Sequence, residues 1–150
     1  MLLVGAVAVM FDNPWLFPSL GPTAAIMMLH PRQPASRPWN TLVGHGVGVL
    51  AGVLAANIFG ATELGGALPG APEPAHAMAA AAATALTLIG GHLLRADHPP
   101  AVATTLILAL GAIPPDAGGA LSVGVGVLLT CVAGAPLRAL ALRQAEHRDE

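Results

Sequence analysis

The chain has 150 residues, a length that suits one domain. Hydrophobic residues make up 55% of it and charged residues 9%, against about 25% charged in an ordinary soluble domain. Mean hydropathy is +0.70, net charge is −2, and Cys131 is the single cysteine. So few charges cannot build a water-facing surface, so the chain reads as an integral membrane protein. The charge balance excludes nucleic acid as a partner. A lone cysteine in an apolar run excludes a disulfide framework and a cysteine-based metal site.

The first element, "MLLVGAVAVMF", lacks a basic leader and a small-residue cleavage site. It reads as the end of a membrane helix, and residues 1–11 cover only about 16 Å as helix. Residues 13–31, "NPWLFPSLGPTAAIMMLHP", open with prolines and then run apolar. Proline fits the first turn of a helix, where its missing N–H costs nothing, so an extended entry followed by a half-helix is expected. Residues 41–61, "TLVGHGVGVLAGVLAANIFGA", form a span. Residues 75–94 form a second, alanine-rich span. Residues 96–115, "ADHPPAVATTLILALGAIPP", repeat the proline-broken pattern, with a half-helix expected over 99–113. Residues 118–137 form another span, and residues 141–150 a polar tail.

The stretch "GVGVL" occurs at Gly46–Leu50 and again 78 positions later at Gly124–Leu128. At the same offset Pro22 falls on Pro100, Ala25 on Ala103 and Ala55 on Ala133. Three kinds of element therefore recur in one order: helix, proline-broken helix, helix. The expected fold is all-α, with repeat A near residues 1–61 and repeat B near 75–140. It has four long helices and two half-helices. The arginines stand at Arg32, Arg37, Arg95, Arg138, Arg143 and Arg148, whereas the loop bearing Glu63 and Glu73 has none. If each broken element crosses the membrane, all arginines lie on one side, which the positive-inside rule makes cytoplasmic. Three crossings per unit then invert the second unit relative to the first. Inverted repeats with broken helices place a substrate site near the bilayer midplane. Re-entrant broken elements that do not cross would keep Arg32, Arg37 and the C-terminal arginines on one side too, with fewer spans.

A helix that starts inside the membrane leaves N–H groups unpaired and a partial positive charge at its tip. Two such tips are expected, one at Ser19, Gly21, Pro22 and Thr23, the other at Asp97, His98, Pro99, Pro100 and Ala101. Converging on one cavity, they suit a small anion. Each end contributes about 0.3–2 kcal/mol, less than desolvation of an ion costs, so further donors are needed. Thr104, Thr105, Asn40 and His45 are the candidates beside Ser19, Thr23 and His98. Ser19 and Asp97 also suit plain N-caps. An ionised Asp97 would repel an anion unless paired, and Arg95 is the expected partner, or else an interfacial cation. His30, His76 and His147 read as interfacial or exposed. Gly44, Gly48 and Gly52 recur every four residues, a stripe for close helix packing.

No HExxH, CxxC, GxSxG or Walker pattern is present, and no nucleophile–base pair or paired carboxylates can be placed together, so an enzyme is not expected and no cofactor is implied. Two readings compete with anion transport: a non-transporting structural or regulatory membrane partner, and a metal site on His45, His92 and His98.

Three motifs in order resemble the HPP family of integral membrane proteins. They are "HPP" at His98–Pro100 followed by "AVAT", "PSLGPTAAIMM" at Pro18–Met28, and "RPWNTLVGHGVG" at Arg37–Gly48. The resemblance runs from about Trp15 to Ala135, with Pro22 and Thr23 replacing small residues common in the family. Some members are thought to be nitrite transporters of plastids and cyanobacteria, which implies a permease for nitrite or a similar anion here. A multi-pass protein of the inner (plasma) membrane, C-terminus in the cytoplasm, is expected. The glycine stripe and short first helix suggest flat surfaces for a homodimer.

Overall fold

The computed structural model describes residues 1–13, 15–63 and 73–147. Among these the fold is all-helical: α1 (Leu2–Met10), α2 (Leu20–Leu29), α3 (Pro38–Phe59), α4 (Pro74–Leu93), α5 (Pro100–Ala109) and α6 (Ala117–Glu146). One turn of 3-10 helix, Pro34–Ser36, precedes α3. Three helices, α3, α4 and α6, are long and apolar enough to cross a membrane. Instead of four long helices there are thus three, because α1 has only 9 residues. Large apolar side chains such as Leu50, Leu54 and Ile58 on α3 and Leu121, Leu128 and Val132 on α6 are exposed. In a bilayer those faces meet lipid without cost, and the chain is a membrane protein.

Local chemistry sets the helix ends. Pro38, Pro74 and Pro100 occupy first-turn positions, where no N–H is lost and φ is preset. Gly60 ends α3 in the left-handed region at φ 72. Asp116 caps α6 by accepting from Gly119 N at 2.8 Å. The helix expected over 99–113 stops earlier, at Ala109, because the chain turns through Gly111 at φ 69 and meets Pro114 and Pro115. Conversely, α6 continues through Pro136 to Glu146, so the polar tail begins as helix.

Helix α3 packs on α4, α5 and α6, while α6 packs on α1, α2 and α3. The glycine stripe explains the first contact set. A Cβ on Gly44 would lie 2.7 Å from His98 Cβ, one on Gly48 2.8 Å from Ala101 O, and one on Gly52 2.8 Å from Thr105 O. Only glycine lets α5 approach so closely. The stripe is therefore used inside the chain and offers no surface for a dimer. On α6, Gly126 meets Trp15 O and Phe17, and Gly134 meets the Met27 sulfur.

The two ends of the bundle differ in charge. Arg138 Nε donates to Ser36 Oγ at 2.8 Å, Asn40 Nδ2 donates to Asp97 O at 3.1 Å, and His98 Nδ1 lies 2.8 Å from Ala35 O. Met28, Leu29, Pro31 and Arg32 line one cavity with Ala141, Gln144 and Ala145. These links gather Arg32, Arg37, Arg95, Arg138 and Arg143 at one end; Arg148 lies outside the described residues. At the other end Asn57 Nδ2 donates to Pro115 O at 2.9 Å, and His76 Nε2 meets Glu63 O at 2.9 Å. Glu63, Glu73 and Asp116 lie there. Helices α3 and α5 thus run away from the arginine-bearing end, and α2, α4 and α6 run toward it.

A groove of about 500 Å³ separates α3 from α6. Leu42, Gly46, Val49 and Leu50 line it from α3, and Ala120, Gly124, Val127 and Leu128 from α6, each position 78 residues from its counterpart. His45 lines the same groove.

Candidate functional site

The site lies where α2 and the start of α5 pass each other beside α3. Ser19, Thr23, His45, His98 and Thr104 are all buried. Ser19 Oγ is 2.7 Å from Thr104 Oγ1, and Thr104 Oγ1 is 2.8 Å from His45 Nδ1. Thr23 Oγ1 is 3.0 Å from His45 Nε2 and 3.1 Å from His98 Nε2. The two imidazoles stand edge to face with centroids 4.9 Å apart. Three segments of sequence therefore contribute to one continuous chain of polar groups inside an apolar bundle. Ser19 pairs with Thr104 and Thr23 with His98, in opposite order along the two segments, as oppositely directed helices require.

Placement on the fold follows from local structure. Ser19 occupies the N-cap position of α2, but its side chain makes no cap bond and reaches Thr104. Thr23 lies one turn into α2, on its buried face. His45 is about 10 Å from the start of α3, a helix about 33 Å long. The network thus sits a third of the way along α3, toward the arginine-bearing end, not at its middle. Pro100 and Ala101 are buried in the first turn of α5, and Pro99 is its N-cap.

Other expected members lie apart. Gly21 and Pro22 are exposed. Thr105 faces α4, 2.7 Å from Thr87 Oγ1, and donates to Ala101 O at 3.0 Å. Asn40 touches this region only through Asp97 O. Asp97 is not the N-cap of α5, and its carboxylate meets His92 at 3.8 Å, not Arg95. Arg95 is exposed, at φ 50. His92 points outward with its side chain 83% exposed, so the expected three-histidine metal set is not assembled. Among the described residues no group of three or more His, Cys, Asp or Glu could hold a metal ion.

The unpaired N–H groups expected at the helix tips are largely accounted for. Ala101 N donates to His98 O at 2.9 Å, Val102 N to Pro99 O at 3.1 Å, and Leu20 N to Phe17 O at 3.1 Å. Pro22, Pro99 and Pro100 have no N–H. The tips keep their dipoles, but donors for a ligand here are side chains. Two groups were missed by sequence reasoning. Thr87 was a polar residue in an apolar span, the same signal that marked His45. His76, expected at the interface or exposed, is only 3% exposed, with its Nε2 2.9 Å from Glu63 O.

Two cavities flank the network and share no lining residue. The α3–α6 groove is lined by His45. The second, about 270 Å³, is lined by His98 with Gly44, Thr87, Gly91, Ala96, Asp97 and Val102. No carboxylate takes part in the network between them, so it presents hydroxyls and imidazoles only.

Compared with known families, the chain matches the model described as "HPP, transmembrane region" over residues 1–149. No curated protein and no solved structure matches it.

Proposed function

The chain belongs to the HPP family of transmembrane proteins, and from that premise we propose that it carries a small inorganic anion, with nitrite the first to test. The supporting observation is the buried network of Ser19, Thr23, His45, His98 and Thr104, free of carboxylate and placed at the N-terminal ends of two short helices. Hydroxyl and imidazole donors with two positive helix ends favour negative charge. A carboxylate in the same place would oppose it. The network is closed on itself, so an anion binds by replacing some of its internal hydrogen bonds.

An inverted repeat is part of this reading. It is supported by the opposed directions of α2 and α5 and by the four pairs of groove residues 78 apart. His45 and His98, which touch, have as counterparts Val123 and Leu20, which share one apolar cluster. On this reading one unit kept the polar site and the other filled the equivalent place with apolar side chains. The arginine-bearing end is cytoplasmic by the positive-inside rule, in the plasma membrane.

The test is flux into vesicles carrying the purified protein, with nitrite, nitrate and formate as probes. Transport of one of them above protein-free vesicles is expected, reduced in Ser19→Ala and His98→Ala. No flux for any of the three overturns the reading.

A further inference from the structure

We propose that His98 takes up one proton together with the anion, so that the protein carries a proton and an anion across the membrane as a neutral pair. The coupling rests on the anion reading above. It is carried by the hydrogen bonds around Thr23.

The Ala35 carbonyl can only accept, so the 2.8 Å contact requires His98 Nδ1 to hold a proton. In the uncharged ring Nε2 is then bare and accepts from the Thr23 hydroxyl at 3.1 Å. Thr23 has one proton, so His45 Nε2 donates to Thr23 Oγ1 at 3.0 Å. His45 Nδ1 is bare in turn and accepts from Thr104, which accepts from Ser19. Every side chain in the network is satisfied.

Now add a proton at His98 Nε2. That N–H donates to Thr23 Oγ1, and the Thr23 hydroxyl turns to the Ser19 carbonyl, 2.9 Å away. His45 still donates to Thr23, whose oxygen has two lone pairs. The cationic network is as fully bonded as the neutral one, and a single hydroxyl rotation separates them. No bond to carbon changes and no electron moves. The proton comes from water in the cavity that His98 lines and returns to water when the anion leaves.

What the protein does not supply is a buried counter-charge. Around His98, α2 and α5 contribute no titratable side chain, α3 contributes His45, and α4 contributes His92, which faces outward. The 31–37 turn contributes Arg32 and Arg37, both exposed. Asp97, the adjacent acid, lines the same cavity as His98, but its side chain is 66% exposed and lies 3.8 Å from His92, so it is no buried partner. A buried cation without a partner is costly, and two positive helix ends raise the cost. The anion is the missing partner. Each ligand therefore promotes binding of the other, as reciprocal linkage requires.

The experiment uses full-length protein in vesicles with a trapped pH dye and potassium–valinomycin to set the potential. Nitrite is the probe, and protein-free vesicles correct for diffusion of nitrous acid. Coupled movement predicts one proton per nitrite, accumulation of roughly tenfold per pH unit of gradient, and no response to the potential. Thr23→Val lowers proton-linked nitrite uptake at least tenfold, and Thr23→Ser restores it. Nitrite flux that follows the potential without protons overturns the coupling and leaves anion transport standing. No flux of any probe overturns both. If Thr23→Val does not fold, 15N spectra of the imidazoles decide without transport. The neutral form must show His98 protonated at Nδ1 and His45 at Nε2, and His98 protonated at Nε2 alone overturns the proposal.

Discussion

Each copy of "GVGVL" contains two glycines two residues apart, and the structure gives them opposite surroundings. Gly46 and Gly124 have nothing within 4 Å of an added Cβ. At Gly48 the same atom would lie 2.8 Å from both Ala101 O and Thr105 Oγ1, and at Gly126 it would meet Trp15 O and the Phe17 ring. Alanine at the open positions gains up to about 1 kcal/mol of helix propensity. At the packed positions a backbone carbonyl must retreat, an overpacking cost of about 1–3 kcal/mol. Within each copy the two alanine variants should thus differ in stability by about 2–4 kcal/mol. Denaturant titration of the four single variants in detergent micelles, followed by helical circular dichroism, measures this. Gly46→Ala and Gly48→Ala unfolding at the same denaturant concentration, or the same for Gly124→Ala and Gly126→Ala, would refute the packing described here.

Three further outcomes are expected. Thr104→Val removes the hydroxyl linking Ser19 to His45, leaving a buried imidazole nitrogen without a partner; stability should fall by about 1–3 kcal/mol and anion uptake with it, read by unfolding and flux on one preparation. Ser36→Ala removes the acceptor of Arg138 Nε, a bond to a charged donor of about 1.5–3 kcal/mol when intact, discounted toward the lower figure because the pair is half-buried; proteolysis at the 31–37 turn should speed up, and an unchanged rate would count against the tie. In a Cys131→Ala background, Arg143→Cys and Glu73→Cys should be labelled by a membrane-impermeant maleimide from opposite sides, and labelling of both from outside intact cells would reverse the bundle's assignment.

Composition and pattern were enough to read a membrane-embedded helical chain, because sparse charge and long apolar runs are properties of the sequence itself. Prolines located the start of α5 for the same reason: the ring acts on its own residue and its neighbours. The offset of 78 placed positions in register that the fold then gathered in one groove. His45 stood out as an ionisable residue in an apolar span, and Ser19, Thr23, His98 and Thr104 as polar residues near predicted breaks.

What only the tertiary structure decided is which of these candidates meet. Contact between Thr23 and two histidines joins residues 22 and 75 positions apart, and nothing local to any of them specifies it. The angle at which α2 passes α5 brought Ser19 to Thr104 and turned Gly21 and Pro22 outward. The approach of α5 to the α3 glycines consumed a stripe that sequence alone would leave for a second copy. It also sent Thr105 to Thr87 instead of to the histidines. Helix contacts depend on how faces far apart in the chain fit together, and a linear pattern records the faces without recording their partners.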